Sequence, residues 1–239
     1  MSAESDAASL FALARDMSAA GRSLEARLAL AAGLAALAKP LGTVPIVVGG
    51  TAVDFHAAAS TPKGLEPNAG LQASQDVDVI TLGQFGPDAA SLRTALESSG
   101  EFRAQTPAIP VEGRRQWWLR DTRLLVEVLG GELYGDPERV VTIEVEGHEA
   151  VMWGPEDTAW HYAQAALATR DRTSWERARV IAAIHSRGED WDWDYLRTRP
   201  DELAPTELVD ALEAGDSYEQ MLERVEFPAD GQAGRKTKR

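Results

Sequence analysis

The spacing of hydrophobic positions changes several times along the chain, and each change predicts a different element. Up to about residue 39 the apolar residues recur every three or four positions, as one face of a helix requires. Gly21 divides this stretch, and Lys39-Pro40 ends it because the residue before a proline avoids the helical conformation. We therefore predict an N-terminal helical segment over residues 1–40, split into two helices.

Short apolar and alternating runs follow and predict strands interleaved with helices. Strands are indicated at 44–48, 77–80 and 140–145, helices at 51–60 and 88–99, and a hairpin at 116–129 that turns at Asp121-Thr122. Residues 60–73 are rich in proline and glycine and predict a long loop. The core, residues 41–153, is thus predicted to be α/β (α+β), with a mixed sheet flanked by helices.

From Pro155 onward the pattern is helical throughout. Helices are predicted at 156–169, 174–186, 191–198 and 206–225, with Ser174 and Thr206 as N-caps. We place a domain boundary near Gly154, a helical C-terminal part at 154–226 and a disordered tail at 227–239.

Composition narrows the classes of function. The 239 residues carry a net charge of −14, which disfavours a broad nucleic-acid surface because phosphate backbones are repelled. There is no cysteine, no apolar run long enough for a membrane span, and no basic export signal at the start. We expect a cytoplasmic protein without a membrane partner.

The first candidate for chemistry is Gly49-Gly50-Thr51, at the junction between a predicted strand and a predicted helix. Glycines at such a turn let the main chain approach phosphate groups, and the helix N-terminus adds partial positive charge. The hydroxyl of Thr51 has two interpretations, a contact to a phosphate oxygen or a cap of the helix. A glycine pair of this kind also occurs as a purely structural feature.

Asp76 and Asp78 are the second candidate. Residues i and i+2 of a strand project to the same side, so both carboxylates point at one spot. Two like charges held together are unfavourable without a cation between them, and Mg²⁺ prefers oxygen ligands. The alternative is a solvent-facing pair at a strand edge.

Glu127 is the candidate for a third carboxylate. It lies inside the apolar run Leu124–Leu129, where an acid is costly to bury without a partner. If this strand neighbours the one that carries Asp76 and Asp78, Glu127 shares the metal. The alternative is that strand alternation places Glu127 on an exposed face, and the sequence leaves both open.

Together these motifs resemble the polymerase-β-type nucleotidyltransferase superfamily. The residues that carry the resemblance are Gly49-Gly50-Thr51-Ala52, the run from Ser74 to Val79, and a later acid on another strand. More narrowly, the chain resembles the abortive-infection nucleotidyltransferases found as toxins in toxin–antitoxin pairs, and Trp153–Asp157 is similar to a helix start in that group.

The resemblance implies a function. Gly49, Gly50, Thr51 and Ser74 would contact a nucleoside triphosphate, and Asp76, Asp78 and Glu127 would bind Mg²⁺ and carry catalysis. A nucleoside monophosphate would pass to an acceptor hydroxyl of a protein, a small molecule or a tRNA, in a toxin–antitoxin or defence context with an antitoxin-type protein partner.

A second interpretation stays open, because Gln72 stands where the narrower group has arginine and Glu127 where aspartate is commoner. On that interpretation the chain is a catalytically inactive relative that acts as a partner-binding module.

Overall fold

The computed structural model describes residues 3–59, 76–83, 89–105, 115–129, 135–188, 191–199 and 204–226. Its central element is a seven-stranded sheet, ordered β3-β4-β5-β2-β1-β7-β6. The strands are β1 (Thr43–Val48), β2 (Asp76–Gly83), β3 (Phe102–Gln105), β4 (Arg115–Leu119), β5 (Leu125–Val128), β6 (Val141–Val145) and β7 (His148–Met152).

The sheet is mixed, as the sequence predicts. β1 runs parallel to β7 and β2 runs parallel to β5, whereas β1 is antiparallel to β2. The outer pairs β3–β4, β4–β5 and β6–β7 are antiparallel. β2 therefore lies at the centre, between β1 and β5.

Helices cover one face of this sheet. They include α1 (Ala3–Ala19), α2 (Ser23–Ala38) and α4 (Ala89–Ser98), and the intervening α3 (Gly49–Ala59) starts directly after β1. α1 packs closely on α2 because Gly33 has no side chain where the ring of Phe11 lies. Val47, Val77, Val79 and Val126 project from the sheet into the core beneath these helices.

The opposite face of the sheet has a smaller apolar cluster. Ile46, Val48 and Trp153 form it, with Ile80 and Leu82 partly buried against them. Because side chains alternate along a strand, this is also the face to which Asp76 and Asp78 project.

The described residues that follow Gly154 belong to a second compact unit, together with residues 56–59, whereas α1 and α2 belong to the first. The second unit contains α5 (Pro155–Thr169), α6 (Arg172–His185), α7 (Trp193–Arg197), α8 (Thr206–Ala214) and α9 (Tyr218–Glu226). Trp175 is fully buried there, and its indole nitrogen donates to the carbonyl of Asp216 at 2.9 Å.

Three details of this unit differ from the sequence prediction. Asp171, not Ser174, is the N-cap of α6, and its carboxylate accepts from the backbone nitrogens of Thr173 and Ser174. The predicted helix 206–225 is two helices, because Gly215 takes a left-handed conformation with φ of 70° and ends α8. Pro205 precedes α8, so Thr206 is its first residue and not its cap.

The predicted loop at 60–73 and the predicted tail at 227–239 lie outside the described residues. None of the helices in the described ranges has the length and apolar character needed to cross a membrane.

Candidate functional site

β2 presents a pair of carboxylates on one side of the sheet. Val77 and Val79 are fully buried, whereas Asp76 and Asp78 between and beside them are half-buried. This alternation means that the two valines fix the strand in the core while both aspartates project to the opposite face.

The Gly49-Gly50 turn lies directly against this pair. β1 ends at Val48, which is the register partner of Asp78, and α3 begins at the next residue. Gly49 has φ of 66°, and a Cβ atom added to it would lie 2.2 Å from Oδ2 of Asp78. A larger residue would force the Asp78 carboxylate to move, and the positive φ also favours glycine at this position.

The first turn of α3 supplies donors beside the carboxylates. The amides of the first four residues of a helix have no partner within the helix, and here these residues are Gly49 to Ala52. The helix dipole adds partial positive charge at the same end. Such an end binds anions, phosphate groups included.

Thr51 has a definite place in this turn. Its side chain is fully buried, and its hydroxyl donates to the backbone carbonyl of Asp76 at 2.7 Å. The proton of the Thr51 hydroxyl is thus already used in a hydrogen bond to β2. This structural contact is neither of the two roles that the sequence suggests for Thr51, and its contact to phosphate stays a prediction.

Glu127 lies next to Asp78 on the neighbouring strand. β5 runs parallel to β2 with Glu127 as the register partner of Asp78, so the two side chains project to the same face. Glu127 is 5% exposed, and the side-chain nitrogen of Gln116 lies 3.4 Å from its Oε2. The exposed-face alternative for Glu127 therefore does not hold.

The carboxylates are of the right kind for magnesium, because all their donor atoms are oxygens. In the described parts of the chain, however, no group of three or more histidine, aspartate or glutamate side chains is arranged to hold a metal ion. Ser74, the remaining predicted contact, lies outside the described residues.

One residue of this region is not among those that the sequence pattern singles out. Arg27 of α2 is 1% exposed, and its guanidinium donates to the hydroxyl of Thr51 at 3.0 Å. In the sequence pattern, Arg27 looks like an ordinary polar residue of an amphipathic helix. A lone arginine between Ala26 and Leu28 was the available sign, but its partners lie more than twenty residues away.

The chain matches no protein-family model and no curated protein. Among solved structures, it is similar to an antigenic nucleotidyltransferase-like protein from Paracoccidioides brasiliensis, with a TM-score of 0.48 and 17% identity over 82% of this chain and 94% of the other. It is also similar to the antibiotic-resistance factor ANT(2'')-Ia, with a TM-score of 0.43 and 15% identity over 81% of this chain and 91% of the other. Values this low do not identify a family or a reaction.

Proposed function

We propose that the chain is a nucleotidyltransferase, which transfers a nucleoside monophosphate from a nucleoside triphosphate to an acceptor hydroxyl with Mg²⁺. The observation that carries the proposal is the contact of Gly49 with the carboxylate of Asp78. It brings a helix N-terminus suited to phosphate and a carboxylate suited to a metal to the same place.

The phosphate side of the site is the start of α3. The backbone amides of Gly49 and Gly50 would donate to phosphate oxygens, and the absence of side chains there allows close approach. A triphosphate carries about four negative charges, so the protein must offset them with donors and a cation.

The metal side of the site is β2. Asp76 and Asp78 would hold Mg²⁺, whose coordination shell commonly combines one or two carboxylates with substrate phosphate oxygens. When bound, the metal would offset phosphate charge and orient the triphosphate. Repulsion between the two carboxylates would fall at the same time.

Glu127 would serve as the general base. Its carboxylate is buried and lies beside Asp78 on the neighbouring strand, on the face where the triphosphate and the metal would bind. The acceptor hydroxyl would give its proton to Glu127, its oxygen would bond to the α-phosphorus, and the bond to pyrophosphate would break. Gln116 would keep the carboxylate in place.

The remaining parts of the proposal concern partners. The net charge of −14 makes tRNA the least favourable of the three acceptor classes. The toxin–antitoxin context, an antitoxin-type partner and a cytoplasmic location stay predictions.

A first experiment is a thermal-shift titration with ATP, GTP, CTP and UTP, with and without Mg²⁺, followed by transfer assays with α-labelled nucleotide. The enzyme proposal requires Mg²⁺-dependent stabilisation by at least one nucleotide and transfer of label to a protein, tRNA or small-molecule acceptor. Stabilisation by none of the four nucleotides would contradict it.

A catalytically inactive, partner-binding module is the second candidate. It is favoured by the departures at Gln72 and Glu127 from the residues of the family that the chain resembles. Nucleotide binding without any transfer of label, in the presence of every acceptor class, would support this candidate.

A further inference from the structure

Arg27 is the most deeply buried charged side chain near the candidate site. It lies on α2, is 1% exposed, and contacts one residue of its own helix and two residues of α3. Its Nε donates to the carbonyl of Ser23 at 3.2 Å, Nη1 donates to the Thr51 hydroxyl at 3.0 Å, and Nη2 pairs with Oδ2 of Asp54 at 2.8 Å.

Stability alone is a poor explanation for such an arrangement. Removing a guanidinium from water is costly, and a buried ion pair is often replaceable by apolar residues without loss of stability. An apolar residue does not reproduce the directional hydrogen bonds of arginine, because the planar guanidinium places its donors at fixed angles.

Thr51 links the guanidinium of Arg27 to β2. Its hydroxyl accepts from Arg27 and therefore turns its own proton toward the carbonyl of Asp76, 2.7 Å away. Asp54, one turn further along α3, forms an ion pair with the other amino group of the same guanidinium. α2, the first turn of α3 and the first residue of β2 are joined in one chain of hydrogen bonds.

We propose that Arg27 is a positioning residue that sets the start of α3 against the Asp76–Asp78 pair. The proposal rests on the proposed function, since the geometry it fixes is that of the nucleotide site. Arg27 is not placed in contact with substrate. Its effect passes through Thr51, and Gly49 is thereby held against Asp78.

The test compares Arg27→Met with Arg15→Met. Arg15 is a matched control in α1, because it pairs with Glu101 and donates to the carbonyl of Arg120 at 3.1 Å, on a part of the sheet near β3 and β4. Thr51→Val is a second variant that leaves the Arg27–Asp54 ion pair intact, and Thr51→Ser restores the hydroxyl.

Two readouts are made on the full chain. Hydrogen exchange follows the backbone amides of the first turn of α3 and of the start of β2. Calorimetry follows the affinity for the magnesium complex of whichever of ATP, GTP, CTP and UTP stabilises the wild type most.

We expect both Arg27→Met and Thr51→Val to raise exchange at these amides and to weaken nucleotide binding, each by roughly tenfold, the effect of one hydrogen bond. Arg15→Met is expected to change neither, and Thr51→Ser to remain near wild type. Should Arg27→Met fail to fold, the Thr51 pair of variants decides the question.

The two possible failures are distinguishable. If wild type binds nucleotide and Thr51→Val and Arg27→Met match Arg15→Met in both readouts, the positioning proposal is overturned while the proposed function stands. If wild type binds no nucleotide, the proposed function fails, and the site-positioning role fails with it whatever the exchange rates show.

Discussion

Gly49 and Asp78 are in such close contact that a Cβ atom on Gly49 would lie 2.2 Å from the Oδ2 atom of Asp78. The two residues lie on neighbouring elements, at the start of α3 and within β2. A residue without a side chain thereby brings together the backbone that we propose binds phosphate and the carboxylate that we propose binds the metal.

Gly49→Ala tests this contact directly. The methyl group would displace the Asp78 carboxylate, so we expect loss of any Mg²⁺-dependent nucleotide response and a stability loss of about 1–3 kcal/mol from overpacking, added to backbone strain. Thermal unfolding with and without nucleotide measures both effects.

Gly100→Ala is the matched control. Gly100 has φ of 73°, close to that of Gly49, but no heavy atom lies within 4 Å of an added Cβ. It should show only the strain, about 1 kcal/mol, and keep the nucleotide response. Equal behaviour of the two variants would mean that the contact with Asp78 has no role.

Glu127→Gln separates binding from catalysis. The amide keeps the shape of the side chain but does not accept a proton, so we expect nucleotide affinity to stay close to wild type while transfer falls by about 10²–10⁴-fold. Pyrophosphate release measures the rate. Glu144→Gln, in an exposed position of β6, is the control, and transfer by Glu127→Gln at the control rate would exclude Glu127 as the base.

Asp171 should stabilise the second unit as the N-cap of α6. Asp171→Ala is expected to lower the free energy of unfolding by about 1 kcal/mol, and Asp171→Asn by less, because asparagine also caps well. Urea denaturation of the three chains measures the difference. An alanine variant as stable as wild type at neutral pH would show that the cap has no energetic weight.

The same cap predicts a pH dependence. The hydrogen bond from the Ser174 hydroxyl, with those from the Thr173 and Ser174 amides, lowers the pKa of Asp171 below its ordinary 3.8. The contribution of the cap to the free energy of unfolding is therefore fully present above pH 3.8. It is lost as the pH falls through the lower pKa that Asp171 has in the folded chain. The stability difference between wild type and Asp171→Ala should narrow over that acidic range.

His161 of α5 predicts a second pH dependence, which arises from burial of the side chain and not from hydrogen bonds to a charged group. Burial lowers the pKa of His161 from its ordinary 6.5, because desolvation disfavours the charged ring. Below pH 6.5 the unfolded chain binds a proton at His161 more readily than the folded chain does. The free energy of unfolding therefore falls as the pH is lowered, by at most about 1.4 kcal/mol per pH unit. His161→Gln should flatten this part of the stability profile, and an unchanged profile would contradict the assignment.

Much of the fold was predictable because its signals are local. Gly21 separates α1 from α2 with φ of 77°, and Asp121 turns the β4–β5 hairpin with φ of 64°, both as the sequence indicates. β7 was missed because His148–Met152 carries two polar residues, and β3 because it is four residues long at the edge of the sheet.

The candidate site was predictable only where strand geometry suffices. Alternation alone places Asp76 and Asp78 on one face. The position of Glu127 depends on which strand pairs with β2 and in what register, and that is decided by tertiary packing. Arg27 was missed for the same reason, since its partners Thr51 and Asp54 reach it only in the folded chain.

The most direct measurement is a calorimetric titration of wild type and of Asp76→Asn/Asp78→Asn with the four nucleoside triphosphates, each with Mg²⁺ and again with the metal chelated. The account predicts that wild type binds at least one nucleotide only with Mg²⁺, and that the double variant, still folded, loses this binding. Binding that is unaffected by chelation or by the double substitution would contradict a metal-dependent nucleotide site at Asp76 and Asp78.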